Sequence, residues 1–405
     1  MRILYITPFV PWPIRVRSYN LIPRLAKRHD IHLLCLSSSA EEEARAESFT
    51  GICEKVRCVR HHKARAVLQC AAALATPTPL RMAYFASTRM QDAVRQAVAE
   101  FSPDLIYAER WRALQYIPVE VGVPVLCDPT DSMLLYNQRL MHTGRWWERL
   151  IGWEEYLKFL RYEAKLARRA DAVVYCSRLD LEPVLKYAPD VPYVLVPNGV
   201  DCEKYFLKQA SEEQPDTLVF TGNLGYGPNR RAVRFFLEKI FPYIRREIPA
   251  AKIVVVGKGA HAALQKEPQH TPGLEVFDFV PDLRPYIARA TVAVAPITVG
   301  AGVSNKLGEA FATGTAVVAT RLPCGDMAVQ DGVHLFIADD PREFAARVVR
   351  LLREPALRAS LTARARQLVE ERYDWGIVCR AMETAMLNLA EGRLAPPKGL
   401  VTVEV

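Results

Sequence analysis

The stretch APITVGAGVSNKLGEAFATGTAVVAT, residues 295–320, follows directly on a short apolar run formed by Val292, Ala293, Val294 and Ala295. That run has the length and character of a buried parallel strand. Gly300 and Gly302 flank Ala301, Val303, Ser304, Asn305 and Lys306 come next, and a helical pattern runs over residues 307–313. Gly314 ends it, and residues 316–319 supply another apolar strand. A strand, a Gly-rich turn, a helix start and a strand make the unit with which α/β proteins hold phosphate. Free N–H groups at the helix N-terminus face the anion, and glycine lets the backbone approach it. Lys306 and Glu309 stand three residues apart, on neighbouring positions of one helical face. A cation suits a phosphate and a carboxylate suits a pair of sugar hydroxyls, so the stretch suggests a nucleotide or nucleotide-sugar site. A solvated surface pair after an ordinary turn is the competing reading of these residues alone.

Outward from this stretch, βα units recur. Residues 3–7 read as a strand, PFVPWPIRVRSYN as a loop carrying Arg15 and Arg17, a helix begins near Tyr19, and residues 31–36 form a second strand. The loop lacks a Gly-rich fingerprint, and its two arginines are candidates for anionic contact or for a structural role. Residues 91–101 predict a helix, and 105–107, 124–127, 172–176 and 193–196 predict strands. Asp128 and Asp131 are placed just past the carboxyl end of the 124–127 strand, where open parallel sheets keep their ligands; Asp131 either faces a substrate or caps the next helix. Residues 145–170, RWWERLIGWEEYLKFLRYEAKLARRA, give a long Trp-rich helix. A second βα series has strands at 218–221, 252–256 and 274–277, with a helix over 231–241. Two doubly wound α/β domains with a break near Asn198 are the simplest architecture.

At 405 residues, 50% apolar and 24% charged, the chain reads as a soluble globular protein of two domains. No apolar run has the roughly 18 residues of a spanning helix, and the start MRILYITPF is interrupted too soon by prolines for a signal peptide. Nine scattered cysteines without C-x-x-C spacing argue for reduced thiols in a cytoplasm, and no metal site is expected. The formal charge of +8 is locally concentrated in KVRCVRHHKARAV, residues 55–67, followed by the apolar segment 68–75. Such a run either docks on anionic lipid headgroups, meets an acidic acceptor, or is a solvated loop before a core helix. No nucleic-acid recognition motif accompanies it.

The order of motifs resembles that of the family-4 retaining glycosyltransferases of GT-B fold, especially polysaccharide and exopolysaccharide sugar transferases. The residues that carry the resemblance are VPNGVD, FTGNLGYGPN, VVVGKG, GAGVSNKLGEAFATGTAVVAT, DGVHLFIADDPREFAARVVRLL and a late ERYDW, supported by RLAKRHDIHLL and RADAVVYCS in the first half. The resemblance implies two Rossmann-like domains facing a cleft: an acceptor domain over 1–197, with a terminal helix at 373–391 packing back on it, and a nucleotide-sugar domain over 198–372. It implies sugar transfer from a nucleotide-sugar donor to a glycan, lipid-linked or small-molecule acceptor with retention, without a metal or cofactor. The scattered cysteines, and not the resemblance, suggest a cytoplasmic location, and the basic run over 55–65 suggests docking on the inner membrane face to reach a lipid-linked acceptor. Lys306 would stabilise the departing diphosphate, together with the backbone of Gly300, Ala301, Gly302, Val303, Ser304 and Asn305. Glu309 would accept from the ribose hydroxyls. Gly222, Asn223, Arg230 and Lys258 would complete the donor site, Asp131 would orient a substrate, and Arg15 and Arg17 would lie on the acceptor side.

Two departures from the family pattern stand out. Of the two glutamates many members separate by seven residues, Glu309 matches the second while Ala301 occupies the first. The family's frequent Arg and Lys near the start of the second domain are replaced by Asn223, Asn229 and Arg230. A catalytically inactive donor-binding subunit and an epimerase of the same fold are the alternatives to a transferase.

Overall fold

The computed structural model describes residues 1–143, 146–265, 271–299 and 305–394. The chain divides into two compact units, residues 1–198 together with the segment from Gly376 onward, and residues 199–375. The first is built on seven strands: β1 (Arg2–Thr7), β2 (Asp30–Ser37), β3 (Lys55–Arg60), β4 (Leu105–Glu109), β5 (Val125–Thr130), β6 (Ala172–Tyr175) and β7 (Tyr193–Leu195). They pair in the order β3-β2-β1-β4-β5-β6-β7, all parallel. Helices cover both faces, so β1 from Ile3 onward and all of β4 are buried residue after residue, in keeping with their largely apolar sequences. The helix Trp375–Ala390 joins this unit through Glu383, whose carboxylate bonds the His29 ring at 2.7 Å and pairs with Arg28.

The second unit has β8 (Thr217–Thr221), β9 (Lys252–Val256), β10 (Leu274–Phe277), β11 (Val292–Ala295), β12 (Ala316–Ala319) and β13 (Phe336–Ile337). Their order is β10-β9-β8-β11-β12-β13, again all parallel. Each sheet with its flanking helices has the doubly wound, Rossmann-like plan.

Several boundaries differ from the sequence reading. The first helix starts at Val16, which brings Arg17 into its first turn with its side chain buried. The basic stretch opens as edge strand β3, paired from His32↔Lys55 to Ser37↔Arg60, and is therefore not a loop; charged side chains are what keeps an edge from pairing with another chain. Strand β5 runs on to Thr130, which places Asp128 inside the sheet instead of beyond it. The helix foreseen at 231–241 is three pieces, Gly227–Phe235, a π-turn Phe236–Ile240 and Phe241–Glu247. Pro242, lacking an N–H, sits in the first turn of the last piece and accounts for the break in the ladder.

The turns after β8 and β9 are packed backbone on backbone. Gly257 has φ +150, and a Cβ there would meet the Gly222 carbonyl oxygen at 2.0 Å. Gly222 itself has φ +151 and donates its N–H to Val256 O at 3.0 Å. Gly257→Ala is expected to destabilise the second unit by on the order of 3 kcal/mol, read as a lowered denaturation midpoint with unchanged slope.

Candidate functional site

In the second unit the strand order reverses between β8 and β11, and the helices that follow these two strands, Gly227–Phe235 and Asn305–Thr313, both begin at their carboxyl ends. This is the switch point at which open α/β sheets bind ligands. Lys306, in the first turn of the second helix, donates from Nζ to Asn229 Oδ1 at 3.1 Å and lies 5.0 Å from the centre of the Phe220 ring. The side chain is half-buried. Burial pulls the ammonium down to about 8, against the opposing pull of Glu309. One turn along, burial raises the Glu309 carboxyl to about 7, offset by Lys306, by Lys204 and by a hydrogen bond donated from the Tyr205 hydroxyl. Tyr205 is itself buried, and its phenol is raised by desolvation first and by Glu309 second. Burial thus moves the cation and the carboxylate toward neutrality, and a ligand of complementary charge would favour the charged form of each.

The turn that carries Asn229 is braced from within. Asn229 Nδ2 donates to Asn223 O at 3.0 Å, Asn223 Oδ1 accepts from Gly225 N at 2.9 Å, and Leu224 N donates to Lys258 O at 2.8 Å. Gly222 and Asn223 therefore contribute backbone and bracing, the Lys258 side chain is exposed, and Arg230 is half-buried. Asn305 opens the helix. The Gly-rich turn itself, Gly300, Ala301, Gly302, Val303 and Ser304, lies outside the described residues.

In the first unit the order reverses between β1 and β4, and polar groups gather beyond the ends of β4 and β5. Arg110 (φ +70) and Thr130 (φ +69) occupy left-handed backbone that β-branched and long side chains avoid. Arg110 NH1 donates to Pro129 O at 3.1 Å and to Asp131 Oδ2 at 2.9 Å. Asp131 is thus ion-paired rather than a helix cap; Ser132 takes the capping role, its Oγ accepting from Leu135 N at 3.2 Å. Buried carboxylates hold this strained loop. Asp180 accepts from Ser132 N at 3.1 Å, and Glu163 accepts from Met133 N and Leu134 N, each at 3.3 Å, and from Trp111 Nε1 at 2.8 Å. Burial raises Glu163 to about 7 and Glu109, behind the loop, also to about 7.

The two arginines paired in the sequence separate. Arg17 is buried and pairs with Asp128, which also accepts from the Tyr107 hydroxyl, while its NH1 donates to Pro197 O at 3.1 Å and Asn198 Oδ1 at 3.2 Å. Its structural role is to tie the loop after β1 to β5 and to the segment after β7. Arg15 is exposed, its guanidinium 4.4 Å from the Phe9 ring centre. Tyr205, Phe220 and the Arg110–Thr130 strain went unread in the sequence. The only local signal was the placement of Glu109, Arg110 and Trp111 at a strand end.

Comparisons with known proteins agree with this architecture. Residues 14–199 match the glycosyl transferase 4-like domain, and residues 215–354 match the model of glycosyl transferases group 1. The chain belongs to the family-4 glycosyltransferases of GT-B fold. It is 32% identical over 193 residues to a phosphatidyl-myo-inositol mannosyltransferase of Mycolicibacterium smegmatis, covering 46% of this chain and 49% of that one. It is 25% identical over 255 residues to a glycogen synthase of Mycobacterium tuberculosis, covering 60% of each. The chain spans about half the length of the mannosyltransferases it matches. Among solved structures it is similar in fold to Anabaena HepE in complex with UDP-glucose, with TM-score 0.69 and 15% identity over 96% of this chain and 100% of that one. It is also similar to a Thermosynechococcus elongatus sucrose-phosphate synthase, with TM-score 0.71 and 15% identity over 97% and 100%.

Tyr205→Phe removes the donor that favours charged Glu309. The Glu309 titration, followed by carboxyl carbon NMR, is expected to move further up from about 7, with Lys306 losing part of its countercharge and moving down; an unmoved Glu309 would show that Tyr205 does not govern it.

Proposed function

We propose that the chain transfers a sugar from a nucleotide-diphosphate donor to a hydroxyl acceptor with retention of anomeric configuration, the donor being held by the second unit. The observation that carries this reading is Lys306 at the switch point, half-buried beside Asn229 with Glu309 one turn on. In the reaction the anomeric carbon–phosphate oxygen bond breaks, negative charge develops on the diphosphate, and Lys306 with the adjoining helix N–H groups stabilises it. The acceptor oxygen bonds to the anomeric carbon from the face the diphosphate leaves, and its proton passes to a departing phosphate oxygen. Glu309 accepts from the ribose hydroxyls. Asp131, held by Arg110, orients the acceptor. Support for a sugar-nucleotide donor comes from the UDP-glucose bound by the similar HepE fold. Support for a glycan or lipid-linked acceptor comes from the names of the mannosyltransferase and glycogen synthase relatives.

Peripheral contact with an anionic membrane, on a cytoplasmic face, belongs to the same reading. No helix among the described residues is long and apolar enough to cross a membrane. The helix Trp146–Ala167 exposes Trp146, Leu150, Trp153 and Leu157, spaced as one helical stripe, with Val67 and Leu68 exposed on the helix Lys63–Ala73 and Leu74 exposed at its C-cap. Lys158 links the two helices by donating to Ala73 O at 2.8 Å. Tryptophan and leucine beside cations suit a headgroup interface. Trp146→Ser with Trp153→Ser is expected to abolish co-flotation with vesicles containing anionic lipid while leaving the fold intact; retained flotation would remove the stripe from this role.

The donor reading is tested by thermal shift against UDP-, GDP-, ADP- and TDP-sugars. One series should raise Tm, and Lys306→Ala should lower turnover by on the order of a hundredfold or more. Because Lys306 loses its proton above about 8 and Glu309 gains one below about 7, the donor-induced shift should be largest between those values and fall on both sides. Absence of a shift with every sugar nucleotide would overturn the donor assignment.

A further inference from the structure

A second collection of cations, unconnected with the switch point, lies at the outer edge of the first unit. An open groove is lined by Arg60, His61, His62, Arg65 and Arg89, with Gln69 and Ser87 among its remaining walls and no carboxylate. Its architecture follows from the fold. Strand β3 ends at Arg60, the helix Lys63–Ala73 starts three residues later, and the helix Thr88–Phe101 starts beside it. Two helices of 11 and 14 residues therefore direct their N-termini, with partial positive charge, toward the region where the arginines collect. The first of these helices has no side-chain cap, because its N-cap residue is His62.

One imidazole is held there in an unusual state. His61 is only 8% exposed and is stacked 5.6 Å from Phe85 at an interplanar angle of 13°, with Tyr84 5.2 Å away. Its Nε2 is buried and has no hydrogen-bond partner, an arrangement that costs free energy unless a ligand supplies one. Burial, His62 and Lys63 all depress its protonation, as expected of a buried ring among positive charges. The nearest compensation is partial: Arg60 Nε lies 3.7 Å from Glu43, and Arg89 NH1 shares a 3.2 Å hydrogen bond with the His62 ring.

We propose that this groove binds a phosphoryl group, with Arg65 and Arg89 supplying charge-assisted donors, His61 Nε2 a buried partner, and the uncapped helix start backbone N–H groups. Three guanidinium forks and free helix N–H groups match the several oxygens of a phosphate better than the two of a carboxylate. The inference stands on the first unit alone and does not rest on the donor reading. The phosphoryl group can belong to a lipid headgroup or to a free phosphate, and the test separates the two.

Binding of inorganic pyrophosphate, inorganic phosphate and soluble dibutyryl phosphatidic acid would be measured by calorimetry, with acetate as the control anion. The full chain, Lys306→Ala and the double variant Arg65→Ala, Arg89→Ala would be compared. The His61 ring nitrogens would be followed by NMR. The expected result is binding that survives Lys306→Ala, weakens by about tenfold or more in the double variant, and shifts His61 Nε2. Preference for the phosphatidic acid would assign a lipid headgroup, and preference for pyrophosphate or phosphate a free anion. Binding abolished by Lys306→Ala but untouched by the double variant, equal binding of acetate, or no binding at all would overturn the proposal. Retained circular dichroism and Tm of the double variant would show that its loss is local.

Discussion

The constraint on which both units depend is the handedness of the connection between parallel strands. A crossover from one strand to the next is right-handed, so a chain that first winds outward on one side of its opening strand must return to the middle to wind outward on the other. In the first unit the return falls between β1 and β4, and in the second between β8 and β11. At each return neighbouring helices cover opposite faces, and the carboxyl ends of two central strands are left open. Strands β8 and β11 deliver Asn229 and Lys306 to that opening; strands β4 and β5 deliver Arg110 and Asp131 to the region beyond their own ends.

Both units carry costs at these places. In the second, Lys306 and Glu309 are desolvated enough to drift toward neutrality, an expense that the Tyr205 hydroxyl, the Asn229 amide and the Phe220 ring only partly offset. In the first, the loop after β5 is held in left-handed backbone at Thr130 by two buried acids, Asp180 and Glu163, whose accepted N–H bonds over-determine its path. Strain and desolvation persist only where surrounding contacts enforce them, and such contacts here converge on strand ends and not on the sheet interiors. The buried Arg17–Asp128–Tyr107 group shows the opposite case. Asp128 pairs with Arg17 and accepts from the Tyr107 hydroxyl, and Arg17 NH1 donates to the carbonyl of Pro197, so the group works as internal bracing.

Much of this was legible in the amino-acid order. Short runs rich in valine, alanine and isoleucine between glycine and proline signals gave β9, β11 and β12 with the boundaries the structure has, because an interior parallel strand must be apolar on both faces. Lys306 and Glu309 were readable from their spacing behind a strand and a Gly-rich turn. Edge strand β3 was not, since an edge tolerates the charges that made it look like a loop. The π-turn at Phe236–Ile240 was missed because helical periodicity continues through it.

What the sequence by itself determined is the set of local elements, the doubly wound plan and the family, because these follow from periodicity, turn residues and the order of motifs along one dimension. Only the tertiary structure decided which partners meet: Tyr205 with Glu309, Asn229 with Lys306, Arg17 with Asp128, and His61 with the arginines of the outer groove. Asn229 and Lys306 are 77 positions apart and Arg17 and Asp128 are 111 apart, and Arg89 reaches the His61 groove from a different helix. Their desolvation and hydrogen bonding depend on distances in space that no local pattern encodes.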